Sequence, residues 1–403
     1  MAAASKPSKP RWSSIAGEAK LRVAVAGCGA FGRNHLRVYR ELESGGAGVE
    51  LVAALEPDSA RAAETETQYG IPVYSTLDAL LAADLRLDAA SVAVPTVHHH
   101  AVASSLLDAG LDLLVEKPLA RSLDEADDLI RLAEAKKKIL QPGHLERFNP
   151  AVLACEQRLR RPMFFEAHRL SVFTPRSLDV DVVLDLMIHD LDIVLTFARS
   201  PVSEVRAVGL PILSPKVDIA NVRVEFESGC VANFTASRVS TERVRKLRYF
   251  EPRQYVSIDY ARRDLLIIRV DESLAAGIGA LAGGLSPELA SQITPDIAAA
   301  LASGKISPEL IAKFAASAGI SLPALSISPS PNPGLSFVKP EVAEGEPLRL
   351  EIESFLNAVR TRQQPHVTAR QGREALALAL EIQAAMAAHA HRAGLGDFFE
   401  PTA

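Results

Sequence analysis

The chain has 403 residues, of which 48% are hydrophobic and 23% charged, the composition of an ordinary globular protein. Lysine and arginine number 44 against 49 aspartates and glutamates, a net charge of −5 that argues against general affinity for nucleic acid. At roughly 100–200 residues per domain, the length allows two domains and a third small lobe. The three cysteines are widely spaced without a C-x-x-C pair, which favours a reducing compartment and argues against a zinc ribbon.

The first 20 residues are rich in Ala, Ser, Lys and Pro and lack the apolar core of a signal peptide, so residues 1–20 are expected to form a flexible tail. A run of about 18 apolar residues, which a membrane-spanning helix requires, does not occur in the sequence. Together these features predict a cytoplasmic protein with no membrane partner.

Residues 21–148 alternate short apolar runs with amphipathic segments of about a dozen residues. The predicted strands are Leu21–Ala26, Val49–Leu55, Val73–Tyr74, Asp88–Val94, Leu111–Val115 and Lys138–Gln141. Helices are predicted over Phe31–Leu42, Ser59–Tyr69 and Val97–Ala109, after a cap at Thr76, and from a cap at Ser122 to Lys136. This alternation indicates crossover units and a doubly wound parallel (Rossmann) sheet of about six strands.

Residues 149–403 show a different pattern, which predicts an α+β domain with a largely antiparallel open sheet. The predicted helices are Ala151–Leu159, Leu184–Phe197, Arg349–Val359 and Ala369–His389. Alternating apolar and polar residues predict strands over Val202–Ala207, Ile219–Phe226, Val231–Ser237 and Tyr255–Asp259.

Within this domain, residues 274–336 differ in composition, being rich in Ala, Ser, Gly and Pro. A short repeat begins at Ser286, Thr294 and Ser307, each unit having a hydroxyl residue, a proline, an acid and an apolar residue. Such a unit is typical of a helix start, with an N-cap, proline in the first turn and an acid near the positive helix end. The segment is interpreted either as a helical lobe, a lid or oligomer contact, or as a low-complexity insertion.

A G-x-G-x-x-G motif follows the first strand and opens the first helix, with the residues Gly27, Cys28, Gly29, Ala30, Phe31 and Gly32. Gly27 permits a tight turn, Gly29 lets the backbone approach a pyrophosphate, and Gly32 lets helix and strand pack closely. Ordinary turns also use glycines, but the strand-and-helix context favours a dinucleotide site. Glu56 ends the second strand, where a carboxylate accepts from ribose hydroxyls and repels a 2′-phosphate. NAD is therefore predicted over NADP, and Arg61 nearby is interpreted as a solvated helix residue.

Three consecutive histidines, residues 98–100, follow Pro95 at the end of a predicted strand. Consecutive helical side chains point about 100° apart and cannot converge on one ion, so a cluster beside the cofactor is favoured over a metal site. Glu116 and Lys117 end the fifth strand, on the rim where doubly wound folds bind ligands. Lys117 follows an apolar run, so its ammonium is expected to be partly desolvated; a structural ion pair is the alternative.

Asp185 and His189 are spaced i, i+4, which places them on one face of a helix and within reach of each other. A carboxylate that holds one imidazole nitrogen fixes the tautomer and leaves the other nitrogen free for acid–base chemistry. Asp190 and Asp192 add acidic groups, but no further His or Cys lies nearby in sequence, so no metal is predicted.

This combination of a dinucleotide motif, Glu-Lys-Pro and Asp-x-x-x-His resembles the glucose–fructose oxidoreductase / inositol dehydrogenase (Gfo/Idh/MocA) family of nicotinamide-dependent sugar and polyol oxidoreductases. The resemblance covers Leu21–Asp259 and resumes near Arg349. It implies that Lys117 contacts the reacting hydroxyl, that His189 is the acid–base residue, and that Asp185 helps to place substrate and histidine. It also implies cofactor contacts for Pro95, His99 and Glu116.

Finer segments are similar to the bacterial UDP-N-acetylglucosamine 3-dehydrogenase branch of that family: Gly143–Pro150, Leu184–Asp192 and Thr235–Arg238. This similarity implies substrate contacts for His144, Arg147 and Arg238. It also implies that a 3-keto nucleotide sugar is supplied to a partner aminotransferase. Arginines between Arg238 and Arg253 suit a diphosphate, although a charged solvent face of a sheet explains most of them better.

The sequence thus predicts an NAD-dependent dehydrogenase of a sugar hydroxyl. A dehydrogenase for a free sugar or inositol is the alternative within enzymes, and a non-catalytic NAD-sensing regulator is the alternative of another class. A homodimer or homotetramer is expected by analogy.

Overall fold

The computed structural model describes residues 20–173, 180–270 and 335–398. They form two compact units. The larger takes in the described residues up to Pro252, Val256–Leu265 and those from Pro340 onward, and the smaller comprises Arg253–Tyr255 and the described residues between Leu266 and Lys339. The predicted tail, residues 1–20, and the predicted insertion, residues 274–336, lie outside the described residues except for Lys20, Leu335 and Ser336.

The first sheet has six parallel strands in the order β3-β2-β1-β4-β5-β6. These strands are β1 (Leu21–Ala26), β2 (Val49–Leu55), β3 (Val73–Tyr74), β4 (Ala89–Val92), β5 (Asp112–Glu116) and β6 (Leu140–Gly143). The helices between them are α1 (Gly32–Ser44), α2 (Ser59–Tyr69), α3 (Leu77–Ala82), α4 (His99–Asp108) and α5 (Leu123–Lys136). Because helices cover both faces, the central strands bury apolar side chains on both sides of the sheet.

The local signals that predicted these elements are confirmed by the structure. Strands β1 and β2 and helix α2 have the predicted bounds. The side chains of Thr76 and Ser122 accept hydrogen bonds from backbone N–H groups at the starts of α3 and α5. The predicted Rossmann sheet is therefore formed, with its carboxyl edge where the glycine motif and Lys117 lie.

The second part of the larger unit contains a mixed sheet in which β12-β11-β7-β10-β9-β8 are neighbours. Pairs β8–β9, β9–β10 and β7–β11 are antiparallel, whereas β7–β10 is parallel. The strands are β7 (Phe164–Leu170), β8 (Val202–Leu210), β9 (Ile219–Phe226), β10 (Val231–Ser237), β11 (Val244–Glu251) and β12 (Gln254–Asp259). This largely antiparallel sheet confirms the predicted fold class.

Among the described residues, four helices accompany this sheet: α6 (Pro150–Glu156), α7 (Ile188–Ala198), α8 (Pro347–Thr361) and α9 (Ala369–Arg392). Helix α9 packs on β8 and on α7, and α8 packs on α1 of the first part. In the smaller unit, β13 (Asp264–Val270) pairs antiparallel with β14 (Leu335–Val338) through residues 267–270. Within the described residues, no helix is both long and apolar enough to cross a membrane.

Strands β7 and β11 were not predicted, because charged residues interrupt their apolar pattern. Both strands alternate in burial, yet β7 buries Arg169, and β11 carries several cations among its apolar residues. Burial of a charge is tolerated only where partners are supplied by the tertiary structure, which a local pattern does not show. The arginine-rich segment before Arg253 is therefore a strand of the sheet.

Arg169 is the central cation of this sheet and is only 3% exposed. Its Nε and Nη2 donate to the two carboxylate oxygens of Asp190 at 2.7 and 3.0 Å, and its Nη1 donates to Glu146 at 3.0 Å. The guanidinium also lies 5.0 Å from the ring centroid of Tyr260. One arginine thus neutralises two buried carboxylates from different segments.

Replacing Arg169 with methionine should lower the free energy of unfolding by about 3–5 kcal/mol, because two carboxylates are then buried without their cation. Chemical denaturation measures this loss. The matched control is Arg206→Met, whose partner Glu204 is on the surface and whose loss should leave stability nearly unchanged. Equal stability of the two variants would contradict a structural role for Arg169.

Candidate active site

The glycine loop between β1 and α1 is shaped to approach a ligand closely. Gly27 has φ +92°, and a Cβ there would lie 2.6 Å from the Ala93 carbonyl oxygen. A Cβ on Gly32 would lie 1.8 Å from the Gly27 oxygen, so α1 packs directly on the loop. A Cβ on Gly29 would meet nothing within 4 Å, which leaves the loop open where a pyrophosphate would approach. These residues fit a dinucleotide.

Glu56, directly after β2, lies beneath this loop and is only 3% exposed. Its carboxylate accepts from the N–H groups of Cys28 and Asp58 and from the Arg61 guanidinium, each at 2.9 Å. Burial raises the pKa of the Glu56 carboxyl, but Arg61 and the two N–H donors hold it below its ordinary value. Arg61 lies on α2 with its side chain 45% exposed, as predicted for a solvated helix residue, and its guanidinium is also ion-paired with Glu56.

The histidines after Pro95 have separate environments. His99 is buried, with Nδ1 2.9 Å from the Pro118 carbonyl and Nε2 2.9 Å from the Val94 carbonyl. His100 contacts Asp128 at 2.8 Å. In the described part of the chain, no three His, Cys, Asp or Glu side chains are grouped to hold a metal. His99 thus joins the backbone that follows β4 to the backbone that follows β5. Pro95, at the start of the same segment, is exposed.

Lys117 follows β5 at the carboxyl edge of the first sheet, with its side chain 18% exposed. Its ammonium donates to the carbonyl oxygens of Asp185 at 2.6 Å and Leu184 at 3.3 Å, and it lies 3.9 Å from the Asp185 carboxylate. Burial lowers the pKa of Lys117, while the negative charges of Asp185 and Glu116 oppose that shift. Glu116 itself contacts His35 of α1 at 2.9 Å.

The segment before α7 forms a π-helix over Val183–Met187, where an α-helix was predicted. The N–H of Ile188 donates to the carbonyl of Val183, five residues earlier, before α7 begins. At the change from i→i+5 to i→i+4 hydrogen bonding, a helix leaves carbonyl oxygens available for other donors. Two carbonyl oxygens of this turn, those of Leu184 and Asp185, accept from the Lys117 ammonium.

This wider turn corrects the predicted contact between Asp185 and His189. The i, i+4 spacing brings two side chains together only in an α-helix, and a π-helical turn changes their phase. Accordingly, Nδ1 of His189 is buried without a hydrogen-bond partner in the described chain, and Asp185 is directed to Lys117. Lys117 and Asp185 are thus in contact, and the positive charge of Lys117 acts on His189.

His189 is held in its neutral form. Burial lowers the pKa of the imidazole well below its ordinary value, and the positive charges of Lys117 and Arg169 lower it further. A neutral imidazole beside a lysine ammonium can accept a proton from a hydroxyl group whose oxygen the ammonium contacts. The arrangement is thus suited to oxidation of an alcohol.

The residues predicted to bind substrate are all buried. Arg238 donates to the Val180 carbonyl and lies 3.5 Å from Asp218. Arg147 donates to Thr196 at 2.6 Å, near the end of α7 remote from His189. His144 lies 3.8 Å from Asp192. The structure therefore engages the two arginines with protein groups.

Arg245 of β11 is one of the arginines between Arg238 and Arg253 that suit a diphosphate; it was not among the predicted substrate-binding residues, but its environment makes it a candidate. Its charge lowers the pKa of His189, and its Nε is buried without a hydrogen-bond partner in the part of the chain described. The available signal was the period of two, which places Arg245 on the same inward face as Leu247 and Tyr249. Leu247 and Tyr249 are buried, and Arg245 is half-buried at the end of the same face.

Comparison with known proteins agrees with this geometry. Residues 21–144 match the oxidoreductase family with an NAD-binding Rossmann fold, and residues 151–253 match the GFO/IDH/MocA C-terminal domain. The chain is 31% identical to UDP-N-acetylglucosamine 3-dehydrogenase of Acidithiobacillus ferrooxidans, over 92% of this chain and 99% of that protein.

The chain belongs to the Gfo/Idh/MocA family. The crystal structure of that Acidithiobacillus enzyme superposes with a TM-score of 0.72, covering 92% of this chain and 98% of the other. The scyllo-inositol 2-dehydrogenase (NAD(+)) of Bacillus subtilis is 26% identical over 55% of this chain and 69% of its own length. This Gfo/Idh/MocA protein is an NAD-binding oxidoreductase, a dehydrogenase acting on CH–OH groups.

Replacing Gly29 with alanine should weaken dinucleotide binding by about tenfold or more, because the added methyl group occupies the space where the pyrophosphate would approach the backbone. Stability should not change, because the methyl group meets no protein atom within 4 Å. Titration of NADH fluorescence measures the binding. Gly396→Ala is the matched control, since a Cβ there also meets nothing within 4 Å but lies outside the glycine loop. Unchanged affinity of the Gly29 variant would contradict the proposed pyrophosphate position.

Proposed function

We propose that this Gfo/Idh/MocA dehydrogenase oxidises the 3-hydroxyl of UDP-N-acetylglucosamine to a ketone with NAD. The observation that carries the proposal is the meeting of the Lys117 ammonium with the turn that precedes the neutral His189. The choice of substrate is supported by 31% identity, over nearly the whole chain, to an enzyme named for that reaction.

In the proposed mechanism, Lys117 donates a hydrogen bond to the substrate oxygen and stabilises its negative charge as it develops. His189 accepts the hydroxyl proton. The Asp185 carboxylate, 3.9 Å from the ammonium, holds Lys117 in place and keeps it charged. Bound NAD supplies the acceptor for the hydride that leaves the same carbon. The protein thus contributes position and charge at the reacting oxygen.

The cofactor preference follows from Glu56. Its carboxylate is ionised beneath the glycine loop, and Arg61 is already paired with it. The 2′-phosphate of NADP would be repelled by the Glu56 carboxylate, and Arg61 is not free to neutralise it. The two ribose hydroxyls of NAD can instead donate hydrogen bonds to the carboxylate. NAD is therefore proposed over NADP. The other proposed cofactor residues, on the loop and at the strand ends, are Gly27, Gly29, Ala30, Phe31, Gly32, Pro95, His99 and Glu116.

Arg245 is proposed to bind the anionic part of the substrate, in place of the buried Arg147 and Arg238. Its guanidinium lies near His189, and the Nε atom without a partner would be satisfied by a phosphate oxygen. Burial lowers the pKa of Arg245, and the neighbouring positive charge of Arg169 lowers it further, so an anion beside it relieves repulsion. His144 is assigned a different role below.

The substrate is tested by a screen of NADH formation with UDP-N-acetylglucosamine, other nucleotide sugars, free sugars and inositol, followed by identification of the keto product. We expect NADH only with the nucleotide sugar and a ketone at carbon 3. Turnover of unactivated sugar or inositol alone would favour the alternative dehydrogenase. No NADH with any alcohol would favour a non-catalytic NAD sensor. The downstream aminotransferase and the homodimer or homotetramer stay predictions.

Lys117→Met and His189→Gln should each lower kcat by about 10²–10⁴-fold, because each removes a group that acts on the hydroxyl proton or its oxygen. NADH binding, measured by fluorescence, should be nearly unchanged. His100→Gln, which alters a histidine paired with Asp128 on α4, is the matched control and should keep parental kcat. Near-normal turnover of either active-site variant would contradict the role assigned to it.

The pH dependence of kcat should reflect the neutral state of His189. Because the folded protein lowers the pKa of this imidazole below 6.5, the base is available throughout the neutral range and is lost only as the pH falls through that lower value. A plot of kcat against pH should therefore be flat near neutrality, with its acid limb below pH 6.5. An acid limb above pH 6.5 would contradict the assignment.

A further inference from the structure

A line of polar groups runs along one face of α7, away from the proposed base. His189 and Asp192 are spaced i, i+3, and Thr196 follows Asp192 at i, i+4, so the three side chains share a helix face. Asp192 is only 2% exposed. Its carboxylate lies 3.5 Å from the Arg147 guanidinium, which also donates to Thr196. The face thus connects the active-site end of α7 to its far end.

His144 lies against this face from the side of the parallel sheet. Glu116 of β5 pairs with Gly143 of β6, so Lys117 and His144 are the next residues on two adjacent strands, which are about 4.8 Å apart. Nδ1 of His144 lies 3.8 Å from Asp192. His144 is therefore placed between the lysine of the active site and the buried carboxylate of α7.

The surroundings of His144 do not explain it as a structural residue. The side chain is 1% exposed, and neither ring nitrogen has a hydrogen-bond partner in the described chain. A buried polar atom without a partner costs about 1–3 kcal/mol. Gly372 of α9 closes over the ring, since a Cβ there would come 3.6 Å from Nε2. The charged groups that act on the imidazole are Asp192, Arg147, Lys117 and Glu116.

A cavity of about 370 Å³ lies at the far end of this line, and Asp192, Arg147 and Thr196 form part of its wall. Its other polar lining includes Glu156, His366 and Glu374. Glu374 is exposed to solvent, so the cavity wall extends to the protein surface. Asp192 therefore contacts both His144 and a space large and polar enough to hold water.

We propose that His144 and Asp192 conduct the proton that His189 removes from the substrate to this cavity. The inference rests on the proposed dehydrogenase function. The alcohol O–H breaks, and its proton binds His189; the proton then passes to the His144–Asp192 pair and from Asp192 to cavity water. No electrons move in these transfers, and both residues regain their starting state at each turnover.

The chemical state of the groups is consistent with such a route. Burial lowers the pKa of His144, whereas the negative charge of Asp192 raises it, and the imidazole is neutral near neutral pH. Nδ1 of His189 is buried without a partner in the described chain, so a proton released from this nitrogen passes to another protein group or to bound water. His144 and Asp192 are positioning and relay residues in this scheme, because neither is placed on the substrate.

The route is tested by stopped-flow measurement of NADH absorbance and of proton release to an indicator dye, in weak buffer, with the alcohol that the parent protein oxidises. His144→Gln and Asp192→Asn each remove a relay group. Both should form the first equivalent of NADH at the parental rate, because His189 starts neutral. Later turnovers should then slow by about tenfold or more, with proton release equally delayed. Added imidazole buffer should restore the rate of the later turnovers, because it can accept the proton in place of the missing group.

His100→Gln is the matched control, and in it proton release should keep step with NADH as in the parent. Circular dichroism and thermal unfolding check that the variants fold; if one does not, the other supplies the measurement. Proton release in step with NADH in a folded variant, or a first turnover slowed as much as later ones, would overturn the relay. Failure of the parent with UDP-N-acetylglucosamine but success with another alcohol contradicts only the proposed substrate.

Discussion

The active site depends on one contact, that of the Lys117 ammonium with the carbonyl oxygens of Leu184 and Asp185. It joins the edge of the parallel sheet to the segment that carries His189. An ammonium so little exposed loses hydration, and the two carbonyls with the Asp185 carboxylate offset that loss. The π-helical turn supplies these carbonyls, because an unbroken α-helix would have used them in its own hydrogen bonds.

The parts of the fold that could be predicted are those whose cause is local. Strands β1 and β2 are apolar runs buried on both faces, and Thr76 and Ser122 cap the helices that follow them in sequence. The π-helical turn could not be predicted, because Asp-x-x-x-His has the spacing of an α-helical pair, and the contact of the turn with Lys117 joins residues distant in sequence. The sequence pattern therefore indicated that Lys117, Asp185 and His189 belong to one site, but not that Lys117 contacts the backbone carbonyls of the turn.

The buried arginines of the second part share a feature that a sequence does not show. A sequence shows how many guanidinium groups lie in a segment, but their partners come from distant parts of the chain: Arg238 pairs with Asp218, Arg147 with Asp192, and Arg169 with Asp190 and Glu146. Because each buried cation requires a nearby anion, most arginines of the second part serve the fold. Arg245 differs in that it forms no such ion pair among the described residues, and its buried Nε has no hydrogen-bond partner there.

The same reasoning bears on the polar groups beneath His189. A core of apolar side chains would stabilise α7 against the sheet at least as well as Asp192, Arg147 and His144 do, since desolvation of buried ions offsets much of their attraction. Folding alone thus gives no reason for an imidazole with two unpartnered nitrogens at this position. A base that must lose one proton in every turnover gives such a reason, because transfer requires groups that are neither permanently charged nor saturated with hydrogen bonds. The line from His189 to the cavity meets that requirement at His144.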